Sequence, residues 1–161
     1  MKMITGFIEP TSGDIKIKGF SVKDTAYEIK KSIGYLPEGA PLYGEMITKD
    51  FLEFIAKIRG VEKNSIAQSM ELVIESLSLK DVLNKRIEHL SKGFKRRVGI
   101  AQAIIHDPEI LIMDEPTDGL DPNQKFDVRK LIKKISKDKT IIISTHILEE
   151  VEAVCTRAAI I

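Results

Sequence analysis

At 161 residues the chain is long enough for one core of ordinary size and too short for two comfortable domains. Lys and Arg total 25 against 24 Asp and Glu, a net charge of +1, so no global field argues for nucleic acid or an anionic membrane surface. A single cysteine, Cys155, excludes an intramolecular disulfide, and with neither a long apolar run nor a signal-peptide layout, any link to a membrane is expected to run through a partner.

Met3, Ile4 and Phe7 form the stripe of a last helical turn, with nothing upstream to start it, so the chain is expected to begin in mid-element. Pro10 to Gly13 make a turn, and Asp14 to Lys18 alternates as a half-buried strand closed by Gly19. Ile33 to Leu36 is a second short strand stopping at Pro37, followed by an irregular loop marked by Gly39, Pro41 and Gly44. From Thr48 the period turns helical, with Phe51, Phe54, Ile55 and Ile58 on one face and Gly60 as the stop. A second helix from about Asn64 carries Ile66, Met70, Val73, Ile74 and Leu77. With the segment from Asp81 to Ile87 these make a helical insert between strands that otherwise alternate with helices.

After Ser91 a helix runs to about His106, with Val98, Ala101, Ile104 and Ile105 inward. Ile110 to Met113 is a run of four apolar residues without alternation, the mark of a strand buried on both faces of a parallel sheet. Asp114 and Glu115 then stand at its carboxyl end, where open α/β sheets place their ligands. Two adjacent carboxylates there are costly to desolvate unless something positive faces them, and magnesium bound to phosphate is a common solution. The plainer reading makes Asp114 a cap of the following turn.

Asp121 and Pro122 open another helix as N-cap and first residue, burying Val128, Leu131, Ile132 and Ile135, with Lys133 and Lys134 suiting the dipole at its end. Thr140 to Ile143 is a further strand ending at Ser144-Thr145-His146. A helix from Ile147 to about Cys155 and a strand start at Ala158 to Ile161 close the sequence, with Cys155 expected as a small buried hydrophobe. His89 and His106 are expected on the surface or in loops.

Ser91-Lys92-Gly93 opens a helix whose first turn exposes unpaired N–H groups, a good place for phosphate, although Ser91 is equally a plain N-cap. Leu90-Ser91-Lys92-Gly93-Phe94, Ile110 to Glu115, Gly119-Leu120-Asp121 and Ser144-Thr145-His146 resemble, in order, the signature, Walker B, D-loop and switch-histidine segments of an ATP-binding cassette (ABC) nucleotide-binding domain. Within that family, IGYLPEGAPLY and LSKGFKRRVGIAQAIIHDPEI look most like the subgroup paired with ABC-2 type exporters, gliding-motility ATPases included.

The resemblance implies an α/β fold: a P-loop NTPase core over residues 1–43 and 105–161, incomplete at both ends, with an α-helical subdomain at 44–104 carrying the signature motif. It implies ATP and Mg2+ as cofactors. Asp114 would hold the metal through a water, Glu115 would orient and deprotonate the attacking water, and His146 would donate to the γ-phosphate. Ser91, Lys92 and Gly93 would face the γ-phosphate held by a second copy in a head-to-tail homodimer with ATP at the interface, and Asp121 would sit there too. The other partner implied is a transmembrane subunit, with the chain cytoplasmic and peripheral at the inner face of the membrane.

Three departures qualify this. Lys92 and Phe94 replace the usual first Gly and the Gln of Leu-Ser-Gly-Gly-Gln. Glu38 stands where the family most often has the Gln that contacts magnesium and links to the membrane subunit; a carboxylate still coordinates, with altered charge. No G-x-x-x-x-G-K-S/T occurs, and MKMITGF would follow that loop directly, so the chain is expected to be truncated before Met1 and to bind ATP weakly by itself. The rival expectations are a soluble ABC ATPase acting on ribosomes or DNA, and a non-catalytic or truncated remnant.

Overall fold

The computed structural model describes residues 1–23, 26–39 and 41–160. Residues 1–7 form a helical turn closed by two bonds, from the Gly6 N–H to the Met3 carbonyl at 3.2 Å and from the Phe7 N–H to the Lys2 carbonyl at 2.9 Å. Gly6, at φ 72°, supplies the left-handed residue that such a terminus needs. The alternating stretch shrinks to a small hairpin, β1 (Lys16–Ile17) and β2 (Phe20–Ser21), turned by Lys18 and Gly19 at φ 55° and 86°.

Next comes α1 (Ala26–Ser32), a helix the sequence reading does not anticipate, ending in Lys30 and Lys31. It leads directly into β3 (Ile33–Leu36), whose four residues are all buried. β3, β4 (Ile110–Asp114) and β5 (Thr140–Ser144) form a parallel sheet in the order β3-β4-β5. Register pairs Leu36 with Met113 and Asp114 with Ser144. Burial on both faces explains why β4 reads as a continuous apolar run: Leu111, Ile112 and Met113 are all at 0% exposure.

Between β3 and β4 lie three helices, α2 (Thr48–Ile58), α3 (Ile66–Ser76) and α4 (Lys92–Ile104), with two short 3-10 turns at Lys80–Val82 and Ile87–His89. α2 buries Phe51, Leu52, Ile55 and Ala56, each large side chain worth about 1.5–3 kcal/mol relative to exposure. The expected stripe is rotated: Phe54 and Ile58 are exposed, and Tyr43 stacks edge-on against both Phe51 and Phe54. Met70, Val73 and Leu77 complete this side of the core.

α4 also reaches the sheet. A Cβ on Gly34 of β3 would stand 2.0 Å from the Ala103 carbonyl oxygen, so glycine there is what permits strand and helix to touch. α5 (Pro122–Ile135) follows β4, N-capped by Asp121 with Pro122 first, and α6 (Leu148–Val154) follows β5. Residues 158–160 are not a strand, and Ile161 lies outside the described residues. Ala158 to Ile160 are exposed. Cys155 is only half-buried, because it sits one residue past the end of α6 rather than within its apolar face.

Candidate active site at the ends of two parallel strands

The parallel register of β4 and β5 brings Asp114 and Ser144 side by side, and the Ser144 hydroxyl donates to Asp114 Oδ1. One residue further on, the Glu115 N–H donates to the Ser144 carbonyl at 3.2 Å and lies 3.3 Å from its hydroxyl. Glu115 adopts φ 47°, a left-handed conformation that costs a non-glycine residue of order 1 kcal/mol or more. That turn aims its carboxylate toward the loop after β5, where His146 Nδ1 donates to Glu115 Oε1 at 2.9 Å. The Glu115 side chain is 21% exposed and that of His146 72%. The hydrogen bond to Glu115, and then its charge, raise the His146 pKa above the ordinary 6.5. In the protonated ring, which the raised pKa favours, Nδ1–H is committed to Glu115 and Nε2–H is the donor left to face outward.

The turn is braced by two groups absent from the sequence reading. Arg96, 6% exposed, enters from α4 and donates from Nε to the Pro116 carbonyl at 3.0 Å, from Nη1 to Pro37 at 3.2 Å, and from Nη2 to Asp114 at 2.5 Å and to Glu115. Burial lowers its pKa, opposed by the charges of Asp118, Asp114, Glu115 and Glu38. Glu150, 2% exposed on α6, accepts from the hydroxyls of Thr117 and of Thr145, the latter at 2.9 Å, with Arg129 at 3.9 Å. Both groups were legible in principle. Arg96 shares the buried stripe of Gly93, Ile100 and Ala103, and Glu150 the half-buried apolar face of Ile147, Val151 and Val154, so each is a charge on an apolar face.

The remaining predicted residues form a second group. Ser91 caps α4, its Oγ accepting from the Phe94 N–H at 3.3 Å. Lys92 is exposed and Gly93 buried, packed so that a Cβ would meet the Gln124 amide at 2.3 Å. Gln124 in turn donates its N–H to the Asp121 carboxylate at 2.9 Å, so Gly93 and Asp121 meet through one residue of α5. Glu38 is exposed on the turn after β3, and only its charge reaches Arg96. Asp114, Glu115 and His146 thus come together, while Ser91, Lys92, Gly93 and Asp121 make no direct bond with them. His106 lies in the turn after α4, as a loop residue, yet it is half-buried: its Nε2 meets the Ile33 carbonyl at 3.2 Å, and burial lowers its pKa to about 4. His89 is exposed beside Glu88.

Among the described residues no three His, Cys, Asp or Glu side chains could cage a metal, and no Lys or Arg forms an ion pair with the Asp114 carboxylate. A half-buried carboxylate with no direct ion pair suits a magnesium ion that keeps its waters and is shared with phosphate, and would not hold a metal alone. Two cavities of about 300 Å³, one beside Arg97 and Lys134 and one beside Tyr35 and Arg59, contain none of these site residues. The His146 side chain, 72% exposed, opens this end of the sheet to solvent.

A three-stranded parallel sheet carrying a carboxylate pair and a histidine at its carboxyl end, with a helical insert before the carboxylate strand, defines a nucleotide-binding α/β class. Residues 1–118 match the family described as ABC transporter. The chain is 35% identical over 160 residues to the uncharacterized ABC transporter ATP-binding protein YxlF of Bacillus subtilis (strain 168), covering 99% of this chain and 52% of that protein. It is 38% identical over 163 residues to the bacitracin transport ATP-binding protein BcrA of Bacillus licheniformis, covering 100% of this chain and 52% of that one. A solved structure described as the ATP binding subunit of an ABC transporter superimposes with a TM-score of 0.85 at 30% identity, over 96% of this chain and 65% of that chain. The chain therefore belongs to the ABC transporter family, as a part of its ATP-binding domain with the P-loop NTPase fold. It spans about half the length of these two curated relatives.

Proposed function

We propose that these residues form part of the ATP-hydrolysing subunit of an ABC-type transporter, most similar to those of ABC-2 exporters. The observation that carries the reading is the 2.9 Å bond between Glu115 and His146 at the end of the strand holding Asp114. Glu115 orients the attacking water and accepts its proton, and His146, in its protonated form, offers its outward Nε2–H to the γ-phosphate oxygens as charge builds. Asp114 and Glu38 would hold a magnesium ion, which would supply neutralisation of phosphate charge. The α4 terminus at Ser91, Lys92 and Gly93, with Asp121 beside it, faces the nucleotide of a second copy in a head-to-tail dimer. Its separation from the Glu115 group within one chain supports this division of roles.

The exposed Tyr43, Phe54 and Ile58 with the turn at Glu38 offer a surface for a transmembrane subunit, which would place the chain at the cytoplasmic face of the membrane. Residues 44–104 act as the helical subdomain, and α4 is its seam with the core. No described helix is long and apolar enough to cross a membrane.

The 161 residues contain no G-x-x-x-x-G-K-S/T, so calorimetric titration of this polypeptide with Mg-ATP is expected to give affinity weaker than micromolar. The same titration on a chain with such a loop ahead of residue 1 should show tight binding and hydrolysis abolished by Glu115→Gln. Hydrolysis surviving that substitution would overturn the assignment.

A further inference from the structure

We propose that Arg96 is a positioning residue that couples the turn at Glu38 to the Glu115 turn. Its guanidinium is, among the described residues, the one side chain that bonds both segments: Nη1 to Pro37 on one side, and Nε and Nη2 to Asp114, Glu115 and Pro116 on the other. Pro37 directly precedes Glu38, and the other three carbonyls belong to the turn that holds Glu115 at φ 47°. A planar guanidinium with fixed donor directions ties these acceptors into one geometry, which a lysine ammonium does not reproduce. The residue is only 6% exposed, so losing one of these partners leaves a poorly solvated donor and is costly. Movement of the Glu38 turn therefore pulls on the carbonyls that set the direction of the Glu115 carboxylate. Its meaning for hydrolysis rests on the functional reading above, whereas the coupling itself needs no nucleotide.

The test is a thermodynamic cycle on the 161-residue chain, read by site-resolved amide exchange. Pro37→Gly loosens the Glu38 turn, and with Arg96 present it should speed exchange at Glu115, Thr117 and Asp118 by about tenfold, leaving α5 and α2 unchanged. In an Arg96→Gln background, and also with Arg96→Lys, Pro37→Gly should have no further effect at those amides. An equal effect with and without Arg96, or none with Arg96 present, overturns the proposal. Should both Arg96 variants fail to fold, the unaltered chain decides: under rising denaturant the amides of Glu38 and Gly39 should open together with those of Glu115 to Asp118, and two separate openings would refute the coupling. Because no ATP is used, a negative result here leaves the ATPase reading standing, and failure of that reading leaves this one.

Discussion

Glu115 and His146 come from different strand ends, 31 positions apart, yet their side chains meet at 2.9 Å, and the contact works in both directions. The carboxylate favours the protonated ring, and the ring holds the carboxylate in one rotamer. His146 should therefore titrate above 6.5 when followed by the NMR shifts of its ring C–H protons, and Glu115→Gln should bring the midpoint back toward that value. With a raised folded-state pKa, the stabilisation is fully present below the unfolded value and fades as pH rises through the folded one. A midpoint at or below 6.5 in the unaltered chain would show that the pair does not form in solution.

His106 has the opposite sign. Its ring is half-buried on the Ile33 carbonyl, its Nδ1 has no partner, and burial lowers its pKa from 6.5 to about 4. The unfolded chain then takes up a proton more readily than the folded one, so stability should fall as pH drops from 6.5 toward 4 and level off below. The shift corresponds to about 3 kcal/mol at most, and exposure of part of the ring to solvent brings the expected loss to about 1–2 kcal/mol. His106→Gln keeps a donor for Ile33 and removes the titration, so urea unfolding at several pH values should show a flatter acid limb. An unchanged slope would assign the acid sensitivity elsewhere.

Much of this arrangement was legible because local chemistry and tertiary context agree. Asp121-Pro122 opens a helix in the sequence and does so in the structure, and Ile33 to Leu36 and Ile110 onward are strands at the residues expected. Asp114 and Glu115 stand out by their place after an apolar strand, whereas His146 is singled out only by the resemblance to the switch-histidine segment. What escaped was what depends on packing. α1 lies in a stretch where Lys, Glu and few apolar residues give no clear stripe, and α2 turns Phe54 outward because Leu52 and Ala56 fit the core instead. The two buried charges were missed because an Arg in a basic run and a Glu in an acidic pair read as surface, although helical spacing sets each on a buried face.

The contact between Gly34 and Ala103 should be among the least tolerant in the chain. A methyl group at residue 34 meets a backbone oxygen at 2.0 Å and the Pro108 ring at 2.8 Å, and neither can rotate away. Gly34→Ala should cost about 1–3 kcal/mol in urea unfolding, with the strain spreading to α4 and so to Arg96. Loss of less than about 0.5 kcal/mol would mean that strand and helix separate more easily than this packing implies.

Gly93 meets a flexible neighbour, and that contrast allows structure and function to be separated there. The three atoms nearest an alanine Cβ would all belong to the far end of the flexible Gln124 side chain, whose backbone, not its amide, holds the bond to Asp121. Alanine also favours a helix over glycine by about 0.5–1 kcal/mol, so Gly93→Ala should leave thermal stability within about 1 kcal/mol of the original. If the first turn of α4 approaches a phosphate across a second copy, however, the added methyl and the displaced Gln124 stand in the way. In a chain with the phosphate loop and Glu115→Gln, light scattering should then show ATP-dependent dimers that disappear with Gly93→Ala while the melting curve barely moves. A variant that melts much earlier yet still dimerises with ATP would make Gly93 a packing residue and remove this helix terminus from the site.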